Sequence, residues 1–218
     1  MVVGRLEVAC GCMGAGKSEW LIKEARRAEW ARKNIVVFKP TVDTRYGTGK
    51  IVSHVKAEYP AIEVTDSWAL VKALTCKEEV VGIDEAQFFD PGIVAVCQCL
   101  VALGVRVLVA GLDLDYLGRP FGSMPQLLAL ADKSIKLTAI CSECGEEATR
   151  TQRLGDSTEL VQIGAGEAYA ARCLKHHTPS QQFDPSFYFT GVKDTFFEDK
   201  DFVQKIAAHL GLSVAERK

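Results

Sequence analysis

The sequence predicts an α/β fold built round a parallel sheet, and three observations carry that prediction. Apolar stretches of strand length alternate with stretches of helical periodicity as far as about Ile140, the pattern that crossover helices between parallel strands produce. A glycine-rich turn closing on Lys17-Ser18 stands between the first strand-like stretch and the first helix-like one. The run Val80-Val81-Gly82-Ile83 is apolar without alternation, as a strand covered on both faces must be.

Taken in order, Leu6-Glu7-Val8-Ala9-Cys10 reads as a strand, and Ser18 to Lys33 as a helix with Leu21, Ala25 and Ala28 on one face and Asn34 at its end. Ile35 to Phe38 makes a second strand. From Pro40 to Val55 the residues are Thr, Asp, Gly, Lys and Ser without lasting periodicity, which predicts a mobile, functional loop. Asp66 to Leu74 reads as a helix, Glu79 to Ile83 as a strand, and Pro91 to Leu103 as a helix. Val105 to Ala110 is a buried strand after Gly104, and Ile135 to Ala139 the last strand of the core.

Aliphatic runs then give way to Cys, Glu, Gly and Thr up to about His177, which predicts a small lobe too thin to hold itself without a crosslink. The expected division is residues 1–139 as the core, 140–177 as the lobe and 178–218 as an extension with an amphipathic helix near Asp201 to Leu210. A length of 218 residues suits one core domain with such an appendage. With 48% hydrophobic and 25% charged residues, the chain can bury a core and does not read as disordered.

A formal charge of -2 disfavours a nucleic-acid platform. Apolar runs such as Val105 to Leu112 fall well short of the ~20 residues that span a bilayer, and Met1 to Arg5 does not open a secretory signal. A cytoplasmic setting is expected. Cys10, Cys12, Cys76, Cys97 and Cys99 lie in apolar or helix-like segments, which favours a reducing compartment over disulfides.

Gly11-Cys12-Met13-Gly14-Ala15-Gly16-Lys17-Ser18 fits G-x-x-x-x-G-K-S in its required strand-to-helix setting. Glycines let main-chain N–H groups curl round phosphates, and the helix N-terminus adds partial positive charge. Lys17 reaches the outer phosphates and Ser18 can hold Mg²⁺, so binding of a nucleoside triphosphate follows. Asp84-Glu85 ends the apolar strand at the sheet edge where ligands sit, resembling a Walker B element. Successive strand side chains point to opposite sides, so one acid can face Mg²⁺ while the other faces a nucleophile.

Cys141-x-x-Cys144 and Cys173-x-x-His176 offer three thiolates and an imidazole, a ligand set for tetrahedral Zn²⁺. Four protein ligands leave no open position, so the expected zinc is structural. His177 competes with His176 for the fourth place, and the spacing favours His176.

Together the P-loop, Asp43-Thr44-Arg45-Tyr46, Asp84-Glu85-Ala86-Gln87-Phe88-Phe89, Pro120-Phe121-Gly122 and the late Cys/His quartet resemble the type II thymidine kinases, in unbroken order from Arg5 to His177. The resemblance implies a RecA-like P-loop core with a zinc lobe, and transfer of the γ-phosphoryl of ATP to the 5′-hydroxyl of thymidine. It implies that Glu85 is the general base, that Asp84 serves Mg²⁺, and that Gln87 belongs to the same nucleotide-side motif. Asp43, Thr44 and Arg45 match a motif that approaches the triphosphate.

Leu112, Tyr116 and Phe121 match the walls of the thymine pocket, with Tyr116 replacing a common Phe, which leaves thymidine against deoxyuridine open. Thr151 to Arg172 matches a segment that folds over the nucleoside, where Leu160, Val161, Gln162, Ile163 and Gly164 lend backbone groups and Tyr169 closes the site. Ile163-Gly164-Ala165-Gly166 departs from the family's Ile-Gly-Gly. By analogy with the family, a homotetramer and feedback binding of dTTP are expected. The competing readings are a P-loop switch or DNA-associated ATPase, and a kinase of another deoxynucleoside.

Overall fold

A computed structural model describes residues 3–42, 49–53, 56–155 and 168–179, with Lys205, Ala208, His209 and Gly211 of the tail. Strand β1 (Arg5–Cys10) leads through the glycine-rich turn into helix α1 (Lys17–Trp30), and the chain returns as β2 (Ile35–Pro40). A hairpin of β3 (Lys50–Val52) and β4 (Glu58–Pro60) precedes β5 (Ile62–Val64) and helix α2 (Ser67–Ala73). Then follow β6 (Val80–Ile83), a 3₁₀ turn at Ala86–Phe88, helix α3 (Gly92–Ala102), β7 (Arg106–Gly111), helix α4 (Met124–Leu130) and β8 (Lys133–Lys136).

Six strands form one sheet in the order β5-β2-β6-β7-β1-β8, with every pairing parallel. The alternation of side chains along β7 builds two cores. Val107 and Val109 meet Leu70, Ile93, Val96, Cys97 and Leu127 from α2, α3 and α4, while Leu108 and Ala110 meet Leu21, Ile22, Ala25 and Ala28 from α1. A parallel sheet between helical layers is the α/β core that the sequence predicts. No helix among the described residues is long and apolar enough to cross a membrane.

Local chemistry explains the element ends. Asp66 caps α2, its Oδ1 accepting from the Ala69 N–H at 2.7 Å, and Leu74 turns to extended backbone, so this helix agrees with its predicted span. Helix α1 stops three residues short of Lys33, because Arg32 takes a left-handed φ of 57° and the Lys33 N–H folds back on the Ala28 carbonyl at 3.0 Å.

Two expectations are corrected and one helix is added. The stretch from Pro40 to Val55 is not all loop: β2 runs to Pro40 and Lys50–Val52 is a strand, too short for any periodicity to register. The last core strand is Lys133–Lys136 rather than Ile135 to Ala139; it is an edge strand exposing both lysines, so an apolar run does not mark it. Helix α4, which has Pro125 in its first turn and no side-chain cap where α2 has Asp66, was not among the predicted elements.

Beyond β8 the chain builds a small lobe from two antiparallel pairs, β9 (Ala139–Ile140) with β10 (Glu147–Ala148), and β11 (Arg150–Arg153) with β12 (Tyr169–Arg172). Its buried Ala139, Cys141 and Ala148 pack on Cys12 and Ala15 of the glycine-rich turn. The helix near Asp201 to Leu210 lies almost wholly outside the described residues.

Candidate active site

The glycine-rich turn leaves the carboxyl end of β1, the edge where parallel sheets hold ligands. Gly11, Gly14 and Gly16 take φ of 149°, 78° and 85°. A Cβ on Gly11 would run into the Leu137 carbonyl, so the close approach of the two chains requires a glycine there. Gly16 begins α1 with no side-chain cap, which leaves the first N–H groups of a fourteen-residue helix for an anionic ligand. Lys17 is buried and its Nζ donates to the Cys12 carbonyl at 2.7 Å. Burial presses its pKa down, and the charges of Glu85, Cys12, Asp84 and Asp113 oppose that shift.

Ser18 donates its hydroxyl to Asp84 at 3.0 Å, which brings the first residues of α1 and the end of β6 to one point. Its neighbour Glu85 has a left-handed φ of 50°, a conformation uncommon for a residue with a side chain. Asp84 and Glu85 thus take different partners, although both charges act on Lys17. The Gln87 amide donates to Glu85 Oε2 at 2.5 Å, while Gln87 Oε1 accepts the Leu112 N–H at 2.9 Å. Glu85, Gln87 and Leu112 thus form one hydrogen-bonded chain from β6 to the end of β7. Phe121 holds an edge-to-face contact with Phe88 at 5.6 Å, and Gly122 lies so close to the Gln87 carbonyl that a Cβ would overlap it.

The lobe reaches the same edge. Met13 donates its N–H to Thr151 Oγ1 at 3.1 Å, and the Cys12 thiol donates to the Ala148 carbonyl at 3.3 Å. The Arg153 guanidinium lies 3.7 Å from the centre of the Tyr116 ring and donates to the Tyr169 hydroxyl at 2.9 Å. Tyr116 and Tyr169 therefore meet at Arg153, two residues along β11 from the Thr151 that binds the turn. Asp43, Thr44, Arg45 and the run from Leu160 to Gly164 lie outside the described residues.

Cys141, Cys144, Cys173 and His176 bring their ligand atoms within 4.8 Å of one another. Zn–S bonds of ~2.3 Å in a tetrahedron put two sulfurs roughly 3.8 Å apart. Cys144 and Cys173 sulfurs are 3.8 Å apart, and His176 Nδ1 lies 3.8 Å from Cys141 Sγ and 3.3 Å from Cys173 Sγ, so the cluster fits structural zinc. Desolvation opposes ionisation of Cys141, but N–H donors from Cys173, Glu143 and Cys144, with the His176 contact, bring its thiol down to about 5. His177, the rival for the fourth place, instead directs Nε2 to the Tyr116 carbonyl at 3.0 Å.

Sequence reasoning missed Arg153, a buried cation on β11, and the pairing of Lys136 with buried Asp113 at 2.7 Å. Both are contacts between distant elements, and no local pattern marks them.

The sheet, the glycine cradle with Lys17 and Ser18, the acid pair ending β6 and the Cys/His cluster define a P-loop nucleotide-binding α/β protein with a zinc-type lobe. Residues 4–177 match the family model described as "Thymidine kinase". The chain belongs to the thymidine kinase family, and it is a kinase. Among solved structures, a crystal structure of Bacteroides Pif1 bound to ssDNA aligns at 18% identity over 57% of this chain, with a TM-score of 0.29. The chain spans 32% of that structure.

Proposed function

We propose that the chain transfers the γ-phosphoryl group of ATP to the 5′-hydroxyl of thymidine, giving dTMP for nucleotide salvage. The observation that carries the reading is the pair of acids ending β6, each with its own partner: Asp84 accepts from Ser18, Glu85 accepts from Gln87, and both charges act on Lys17 in the cradle.

In this reading the N–H groups of Gly11 to Ser18 and the Lys17 ammonium bind the triphosphate, as the uncapped start of α1 and its buried lysine suit them to do. Ser18 and Asp84 would hold Mg²⁺, an oxygen donor pair of the type that hard cation takes, and the ion supplies neutralisation of phosphate charge. Glu85 receives the proton of the 5′-hydroxyl as that oxygen attacks, and Gln87 keeps its carboxylate aimed. Arg45, with Asp43 and Thr44, offsets charge on the transferring group. Leu112, Tyr116 and Phe121 wall the thymine ring, with Thr151 beside them. Backbone groups of Leu160 to Gly164 bind the base, and Tyr169 closes the site. Zn²⁺ on Cys141, Cys144, Cys173 and His176 clamps the lobe and takes no part in the chemistry.

The core spans residues 1–139 and the lobe 140–177, in a cytoplasmic homotetramer that dTTP restrains and that has no nucleic-acid partner. Tyr116 in place of a common Phe favours one second reading, a preference for another pyrimidine deoxynucleoside. Purified protein with ATP and Mg²⁺, offered each nucleoside in turn and DNA in a parallel ATPase assay, tests both. The expected result is monophosphate from thymidine and no DNA-stimulated hydrolysis; product from another nucleoside alone, or a DNA-driven ATPase, refutes the first reading.

A further inference from the structure

Arg153 is a buried cation where a lobe strand needs none. It is 6% exposed, and removing a guanidinium from water is costly unless its new surroundings replace that hydration. Among those surroundings are two aromatic rings from different parts of the chain. Tyr116 comes from the loop after β7, and the guanidinium carbon lies 3.7 Å above the centre of its ring. Tyr169 is the residue directly opposite Arg153 in the β11–β12 pair, so the two side chains leave the same face of the hairpin. The Tyr169 ring centre is 5.4 Å from the guanidinium, and its hydroxyl accepts from Arg153 at 2.9 Å. The carbonyl of Tyr116 is held as well, by His177 Nε2 at 3.0 Å.

We propose that Arg153 is a positioning residue for the nucleoside: by stacking on Tyr116 and bonding Tyr169, it fixes a core wall and a lobe wall of the pocket against each other before substrate arrives. The inference rests on the reading that these two tyrosines face the nucleoside. A planar guanidinium suits the task because it stacks on one ring while its edge donates to the other, which the compact ammonium of a lysine does not reproduce. An unfixed pair of walls would have to be ordered at each binding event, so the cost appears in nucleoside affinity.

Steady-state kinetics of Arg153→Lys and Tyr169→Phe in the full chain test this. Loss of a desolvated cation–π contact and a hydrogen bond predicts a rise of about tenfold in KM for thymidine in Arg153→Lys, with kcat and KM for ATP held within about twofold. Tyr169→Phe, which removes one hydroxyl, raises KM for thymidine about threefold. The double variant is no worse than Arg153→Lys alone, because the Tyr169 hydroxyl acts through that arginine while the ring is kept. An unchanged KM for thymidine overturns the inference, and so does a parallel fall in kcat and in the affinities for both substrates, the signature of a merely structural role. If Arg153→Lys does not fold, Tyr169→Phe decides by the same split. A wild-type enzyme that forms no product from thymidine overturns the underlying reading and this inference together, whereas an active wild type with an unaltered Arg153→Lys overturns the inference alone.

Discussion

Replacing Glu85 by Gln separates chemistry from architecture at this site, because the structure around residue 85 accepts an amide. The Leu112 N–H binds Gln87 Oε1 at 2.9 Å, which fixes the orientation of the Gln87 amide and aims its Nε2 at residue 85. A glutamine at 85 keeps an oxygen to accept that bond, and the left-handed φ of 50° is no harder for Gln than for Glu. The change trades one charge-assisted hydrogen bond for a neutral one, about 1 kcal/mol of stability. Lys17 loses one nearby negative charge but keeps Asp84 and Asp113, so ATP affinity should stay within about threefold. The proton of the attacking hydroxyl loses its acceptor, and a general base contributes ~10² to ~10⁴ in rate, or about 2.7 to 5.5 kcal/mol of barrier. The assay is steady-state formation of dTMP, with ATP affinity measured separately by competition. Turnover within about threefold of wild type would remove Glu85 from the role of base. A collapse of ATP affinity in step with turnover would place it in the phosphate cradle instead.

Three further outcomes follow from neighbouring contacts. In Gly111→Ala the new Cβ sits 2.6 Å from Met124 Sδ and 2.8 Å from Gln87 Oε1, so stability should fall by about 1 to 3 kcal/mol and turnover by about tenfold as Gln87 is displaced; unaltered kcat in a folded variant rules out Gln87 as an aiming device. Cys141→Ser should lose zinc by metal analysis and become open to proteolysis between about residues 140 and 177, and a full complement of zinc in the variant contradicts the ligand assignment. Glu7 is desolvated, yet Arg106 at 2.6 Å, with Arg5 and Lys133, holds its carboxyl below the ordinary 4.5. Its contribution is therefore complete above about pH 4.5 and fades as pH falls through the lowered native value. In denaturant titrations the stability gap between wild type and Glu7→Gln should be widest above about pH 5 and narrow towards about pH 3; a gap that does not move with pH refutes the assignment.

What was legible in the sequence was local. The cradle from Gly11 to Ser18, the Asp84-Glu85 pair and the two Cys-x-x pairs each lie within a few residues, so spacing alone carries their chemistry, and the Asp66 cap of α2 is equally local. The parallel core was legible because strands buried on both faces cannot avoid apolar runs. Strand β8 was misplaced because an edge strand exposes Lys133 and Lys136 and has no such run. The choice of His176 over His177 needed the fold, since two adjacent histidines differ only in direction: one meets Cys173 Sγ and the other the Tyr116 carbonyl. Arg153 was illegible for the same reason, because burial of a cation is decided by residues remote in sequence.

The lobe and the phosphate cradle are mechanically one object. Strands β9 and β10 are two residues each, far below what an isolated hairpin needs, so their shape depends on what clamps them. Yet the Ala148 carbonyl that accepts from Cys12 and the Thr151 hydroxyl that accepts from Met13 both stand on this lobe, and Cys12, Ala15, Cys141 and Ala148 share one buried cluster. In the proposed function, a turn that presents its N–H groups to a polyphosphate is therefore supported by strands that cannot support themselves. Zinc on the Cys₃His cluster would resolve this, because metal binding would supply the folding free energy that so small a lobe lacks. The cluster can thus stand outside the chemistry and still set the geometry in which the chemistry occurs.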